Sequence, residues 1–350
     1  MNHSEDKKIR IVIVGCGNVA EKRHAPLCDA SPYVDLYGFF NRTREKAEKF
    51  AKKYGGKVYG SLEEVLQDDM VDAILVATSE GSHWEISVAG LLAGKHVLCE
   101  KPMASSPEQC RAMIEAEKKS GKKLMINHNQ RLYAPHIKAK QLIQEGAIGK
   151  VLYFRTEYSF RGHETNAEGV INKNHYDRIN HVHGVLAQVG SHRIDLMNFL
   201  FEEEVDEVFL AAHTLAKTFS DGRPIPYEDQ SVLNIRYKNG IVGTVENSWL
   251  DFSDNGRKTF IYGTEGTIET YAGQYGVVLH KRNGERVCYD VGRIPGHYEP
   301  PLTKIVDIFA KCVLEDTRPL CTSKEGLHCL QIINAAYESQ KTNTWTKVLA

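Results

Sequence analysis

The sequence predicts an α/β chain in two parts. A doubly wound parallel sheet comes first, followed by an α+β domain with an open, mainly antiparallel sheet. Three observations carry this. Buried β-branched runs alternate with helical segments over the first third of the chain; a glycine turn joins the first strand to the first helix; and strand-like runs succeed one another after Asn127. At roughly 150 residues per domain, a length of 350 implies two domains, placed at 1–127 and 128–350.

Ile9-Arg10-Ile11-Val12-Ile13-Val14 has the near-continuous apolar pattern of a strand covered on both faces. A second strand follows over 34–40, then a helix over 44–54 closed by Gly55. Ser61-x-x-Glu64 reads as a capping box opening a short helix. Strands at 73–77 and 96–98 flank a helix from about His83 to Ala93. Ser106-Pro107-Glu108-Gln109 supplies an N-cap, a proline at the first helical position and a reciprocal Gln. That helix ends near Gly121, and Leu124-Met125-Ile126 is one more strand. Such alternation needs right-handed crossovers and therefore a doubly wound sheet.

In the second part, strands are expected at 151–158, 208–215, 231–237, 241–249, 258–262 and 276–280. Asn239-Gly240 between two of them is a hairpin signal. The segment 185–201 has helical spacing. Leu186, Val189, Leu196 and Leu200 form its apolar stripe, while Gln188, His192 and Asp195 share the opposite face.

Composition excludes several classes of function. Lys and Arg number 44 against 45 Asp and Glu, a net charge of −1 that carries no nucleic-acid footprint. No apolar run approaches the roughly 18 residues of a membrane span, and Met1–Lys8 lacks an apolar signal core. The eight cysteines form no Cys-x-x-Cys pair, as expected for reduced thiols in a cytoplasm. Five of the 15 histidines (His163, His175, His181, His183 and His192) crowd one stretch. Their spacing matches no standard metal site, so no metal is expected.

Gly15-x-Gly17-x-x-Ala20 stands between a buried strand and a helix. There the first glycine permits the tight turn and the second lets backbone approach a pyrophosphate. The small third residue allows close helix–strand packing, and the helix N-terminus offers N–H groups. This marks a Rossmann dinucleotide-binding domain, with Gly15, Gly17, Asn18, Val19 and Ala20 at the cofactor. The end of the second strand reads Asn41-Arg42 in place of the usual carboxylate. Asn41 can bond a ribose; Arg42 can attract a 2′-phosphate or serve as a solvated helix-start charge. NAD is expected, and NADP is left open.

Glu100-Lys101-Pro102 follows the fifth strand, at the carboxyl edge where such sheets place ligands. Alone, Lys101 reads more readily as a surface charge, and His192 more readily as a histidine satisfying a local hydrogen bond. A cis bond at Pro102 would hold the lysine toward the cleft. Arg155, Arg161, Lys173, Arg178 and Arg193 give the mid-chain a basic surplus, suited to a phosphate or to a solvated loop.

Taken together, these segments resemble the Gfo/Idh/MocA family of nicotinamide-dependent sugar oxidoreductases over nearly the whole chain. The motifs are the glycine turn, Ala77-Thr78-x-x-x-x-His83, Ala93-Gly94-Lys95-His96-Val97-Leu98-Cys99-Glu100-Lys101-Pro102, Asn129-Gln130-Arg131, Gly190-Ser191-His192-Arg193-Ile194-Asp195 and Tyr262-Gly263-Thr264-Glu265-Gly266. The resemblance implies that Lys101 and His192 flank the substrate hydroxyl. It adds Thr78, His83, Glu100, Lys101, Pro102 and Asn129 to the cofactor residues and Arg131 to the substrate residues; Arg161 and Arg178 of the basic surplus and His163 and His183 of the histidine-rich stretch complete the substrate candidates. It also implies a homodimer or homotetramer assembled through the open sheet.

A sugar or sugar phosphate is the implied substrate, the narrower expectation being carbon 3 of glucose 6-phosphate, as in family members that serve kanosamine formation. An NAD-dependent glycosidase or a non-catalytic sugar sensor of the same fold are the alternatives. Two positions depart from the family pattern. Gln188 replaces the usual Asp four residues before His192, and Ser79 replaces the usual Pro after Thr78. A glutamine can orient the imidazole but adds no charge to stabilise the imidazolium.

Overall fold

The computed structural model describes residues 7–166, 168–178, 183–253, 256–271, 273–292 and 303–349. It divides into two compact units, Met1–Asn129 with Pro300–Leu327, and Gln130–Glu299 with His328–Ala350.

The first unit is built on β1 (Ile9–Val14), β2 (Val34–Phe40), β3 (Lys57–Val58), β4 (Ala73–Val76), β5 (His96–Cys99) and β6 (Leu124–Ile126). Their spatial order is β3-β2-β1-β4-β5-β6 and every pairing is parallel, the Rossmann arrangement. Helices α1 (Ala25–Ala30), α2 (Arg44–Tyr54), α3 (Leu62–Gln67), α4 (His83–Leu92) and α5 (Pro107–Ser120) connect the strands. The caps fall where expected: the Ser61 hydroxyl accepts from Glu64 N–H at 3.1 Å, and the Ser106 hydroxyl from Gln109 N–H at 3.4 Å. Gly55 and Gly121 end α2 and α5 with φ of 78° and 67°.

The second unit begins with α6 (Ala134–Gln144) and β7 (Val151–Ser159). A π-helical turn over Leu186–Gly190 leads into α7 (Ser191–Phe201). Then come β8 (Val205–His213), β9 (Gln230–Tyr237), β10 (Val242–Ser248), β11 (Thr259–Gly263), β12 (Gly266–Thr270), β13 (Val277–Lys281) and β14 (Arg286–Tyr289). Helix α8 (Ile305–Leu314) belongs to the first unit; α9 (Ser323–Thr342) and β15 (Thr346–Lys347) complete the chain. The nine-stranded sheet runs β14-β13-β12-β11-β7-β10-β9-β8-β15, with β10 and β7 its parallel pair. Its inner face packs Phe154, Leu210, Leu233, Ile235, Val245 and Ile261 against Ile194 and Leu196 of α7. Among the described residues, no helix is long and apolar enough to cross a membrane.

Three expectations need correction. The division falls after Asn129 rather than Asn127, and the segment Pro300–Leu327 returns to the first unit before the chain ends in the second. The reason lies in covering the parallel sheet. Asp307 of α8 accepts from the Ser31 hydroxyl at 2.6 Å, and the Cys321 carbonyl accepts from Ile126 N–H at 3.1 Å. Short strands β12, β14 and β15 went unforeseen because strands of two to five residues carry little periodicity. Finally, 185–201 is not one amphipathic α-helix. The π turn shifts its phase, and every residue from Ser191 to Met197 is buried, so His192 lies on no polar face. Gly190 is what lets this turn lie against β10, since a Cβ there would come within 2.8 Å of the Asn247 amide.

Candidate functional site

In the first unit, the carboxyl ends of the strands converge. Gly15 follows β1, Asn41 follows β2, Ala77 follows β4, Glu100 follows β5 and Asn127 follows β6. Between them lies a cavity of about 570 Å³ lined by Gly15, Gly17, Asn18, Val19, Asn41, Arg42 and Thr78, all expected from sequence. Phe40, Leu62, Ser79, Ser82, Glu85 and Ile86 line it too and were not foreseen, because they come from β2, α3, the segment after β4 and α4.

Gly15 has φ of +102°, and a Cβ there would stand 2.7 Å from the Ala77 carbonyl, so only glycine fits. A Cβ on Gly17 would meet nothing within 4 Å. That open backbone beside the turn suits close approach by a diphosphate. Asn41 is turned inward: its Oδ1 accepts from Cys16 N–H at 3.0 Å and its Nδ2 donates to the Thr43 carbonyl at 2.9 Å. Its first task is thus to hold the glycine turn. Arg42 is exposed at the rim. Ala20, His83, Glu100, Lys101, Pro102 and Asn129 do not line this cavity.

Glu100 is held from three directions. His24 Nε2 lies 2.7 Å from its Oε1, Asn127 Nδ2 donates to the same oxygen at 2.8 Å, and Lys101 N–H donates to Oε2 at 3.1 Å. Burial opposes ionisation of Glu100, but His24, Lys101 and Arg23 outweigh it and bring its pKa to about 2. The carboxylate therefore stays charged behind the lysine. The Lys101–Pro102 bond is cis.

In the second unit, His192 stands 6.0 Å, ring to ring, from Tyr158 on β7. From Tyr158 an aromatic wall continues through Phe160 to His163, and from His163 to His175 and Trp249. The helix that carries His192 is anchored by Asp195. That carboxylate accepts from Arg131 Nε at 2.9 Å and Nη2 at 2.6 Å, with both side chains almost wholly buried. Arg131 was expected at the substrate; the structure commits two of its donors to Asp195 instead.

The mid-chain cations do not form one cluster. Arg155 lies on the outer face of the sheet, over the Phe260 ring and donating to Tyr262 Oη at 2.7 Å. Arg193 is fully buried on the inner side, over Tyr158 and Tyr271. Arg155 projects from the side of β7 opposite Phe154 and Tyr158, whereas Arg193 comes from α7. Arg161 offers its carbonyl to Lys217 at 2.8 Å, and Lys217 also pairs with Glu164. The side chain of Arg178 and all of His181 lie outside the described residues. His183 departs from the wall, stacking on Tyr337 at 5.6 Å beside a second cavity of about 670 Å³.

Residues 9–128 match the family model for the Gfo/Idh/MocA oxidoreductases with an NAD-binding Rossmann fold, and 136–269 match that family's C-terminal domain. Myo-inositol 2-dehydrogenase of Thermotoga maritima is 25% identical over 334 residues, 95% of this chain and 96% of its own. The scyllo-inositol 2-dehydrogenase (NADP(+)) IolW of Bacillus subtilis is 25% identical over 350 aligned residues, 95% and 94% of the two chains. A levoglucosan dehydrogenase solved with NADH and levoglucosan superimposes with a TM-score of 0.84 at 24% identity, covering 98% of this chain and all of the other.

Proposed function

The chain belongs to the Gfo/Idh/MocA oxidoreductase family, and on that premise we propose that it oxidises a secondary hydroxyl of a cyclic polyol or pyranose with NAD. Membership makes it an NAD(P)-dependent oxidoreductase of CH–OH groups. The observation that carries the reading is the position of Lys101. It follows β5 at the same sheet edge as Gly15, Asn41 and Thr78, with a charged Glu100 fixing its peptide.

Gly15, Gly17, Asn18 and Val19 would hold the diphosphate, and Asn41, Arg42, Thr78 and Ser82 the ribose ends. Bound there, the nicotinamide supplies the hydride acceptor. Lys101 Nζ donates a hydrogen bond to the substrate oxygen and stabilises its developing negative charge. An imidazole nitrogen of His192 takes the hydroxyl proton. This pairing of roles rests on the Glu-Lys-Pro and Gly-x-His-x-x-Asp motifs.

Support for a phosphorylated substrate is thinner once Arg155 and Arg193 fall on opposite faces of the sheet. Glucose 6-phosphate oxidised at carbon 3 enters the screen beside the inositols and anhydrosugars as the narrower reading. The exposed outer face, where Tyr153 and Tyr262 stack at 4.0 Å next to Val242, is proposed to pair with a second copy.

The test is NADH formation across polyols, sugars and sugar phosphates, with each cofactor in turn. A substrate-dependent signal lost in Lys101→Ala, with dinucleotide binding retained, is expected. Full turnover in that variant would reject the site. Leaving-group release without net NADH would point to a glycosidase, and binding without turnover to a sensor.

A further inference from the structure

His83 was expected among the cofactor contacts, yet it lies beneath the cavity, 2% exposed at the start of α4. Its two ring nitrogens reach two backbone carbonyls. Nδ1 is 2.8 Å from the Pro102 oxygen, and Nε2 is 3.2 Å from the Thr78 oxygen. Carbonyl oxygens only accept, whereas a neutral imidazole has one N–H and one lone pair. In the neutral ring one of these contacts would set lone pair against lone pair, in a place from which water is excluded. Both contacts are satisfied together only when the ring carries two N–H groups.

We propose that His83 is a buried imidazolium that ties the loop after β4 to the peptide following Lys101, making it a positioning residue for that lysine. The two carbonyls belong to the functional edge. Thr78 lines the cofactor cavity, and Pro102 directly follows Lys101. One protonated ring thus couples the cofactor wall to the lysine through backbone.

Cys99 on β5 is the ionisable side chain that bears on the ring. Cys110 of α5 interacts in turn with Cys99, and Glu80 lies in the 3-10 turn just ahead of α4. Burial works against the imidazolium. Cys99 and the carbonyls of Pro102 and Thr78 overcome it, bringing the pKa to about 9. The clamp is complete at neutral pH and loses one donor as pH rises through that value.

The significance for catalysis rests on the reading of Lys101 given above, and the two can be told apart. Nitrogen-15 NMR of histidine-labelled holoenzyme with NAD, between pH 6 and 10.5, reads the ring directly. The ring is assigned by its loss in His83→Gln, or by slow solvent exchange of both ring protons if that variant does not fold. Two protonated-type nitrogens at pH 7.5 and a midpoint near 9 are expected. A single neutral tautomer at pH 7.5 would overturn the proposal.

For the positioning role, His83→Gln is expected to lower kcat by about 100-fold, the scale of an ångström's misplacement. KM and the NAD dissociation constant should change little, and the alkaline limb of kcat near pH 9 should disappear. Retention of that limb in His83→Gln would overturn the positioning role. Full turnover in Lys101→Ala would remove the catalytic reading and leave the NMR result standing.

Discussion

Arg131 and Asp195 form a bidentate pair in the interior of the second unit, at 2.9 and 2.6 Å, with side-chain exposures of 1% and 2%. The carboxylate sits three residues after His192 on α7, so the pair fixes where that imidazole is presented. A buried pair adds little net stability over a well-packed apolar one, but breaking it strands a charge. Asp195→Asn should therefore cost about 3–5 kcal/mol in denaturant unfolding. Arg131→Met with Asp195→Leu should recover much of that stability without recovering kcat. A double variant with normal turnover would show that the pair does not position His192.

Glu100 gives the stability curve an acid edge. Its folded pKa of about 2 lies below the 4.5 of an ordinary glutamate. A carboxylate with a depressed folded pKa contributes its full stability above the unfolded value and loses it as pH falls toward the folded one. A shift of this size is worth roughly 3 kcal/mol. Unfolding free energies of wild type and Glu100→Gln should differ most at pH 6–7 and converge between pH 4.5 and 2. A constant gap across that range would deny the carboxylate its charge.

Gln188 occupies the π turn just before α7, at the position where the motif resemblance leads to the expectation of an aspartate. A carboxylate there would stabilise the imidazolium of His192. The acidic limb of kcat in Gln188→Asp should then move up by about one pH unit, the effect of one nearby opposite charge. An unmoved limb would mean that the His192 proton is governed from elsewhere.

Arg42 stands at the rim of the dinucleotide cavity, and Asn41 is occupied with Cys16 and Thr43. Arg42→Asp should weaken binding of the 2′-phosphorylated cofactor by at least about tenfold, the equivalent of 1.4 kcal/mol. Binding of NAD should hold or improve. Isothermal titration with both dinucleotides decides this, and unchanged binding of both would assign Arg42 to the solvent.

Much of the first unit was legible in the residues because its signals are local. Buried runs at β1, β4 and β5 demand cover on two faces, and Gly15 occupies a backbone angle that only glycine tolerates. Ser61, Ser106, Gly55 and Gly121 mark helix ends through groups a few atoms away. The second unit was legible in its long strands and opaque in β12, β14 and β15, which exist through their neighbours.

The site divides along the same line. Residue type and spacing selected the glycine turn and the edge residues Asn41 and Arg42, because backbone freedom and side-chain chemistry are properties of the residues themselves; Lys101 and His192 stood out only through the family motifs that surround them. Only the tertiary structure could decide that Arg131 is committed to Asp195, that His83 faces two carbonyls, that Arg155 and Arg193 point to opposite sides of a sheet, and that α8 returns to cover the first unit. Those outcomes depend on which distant acceptors, rings and strand faces meet each side chain. No run of neighbouring residues contains that information.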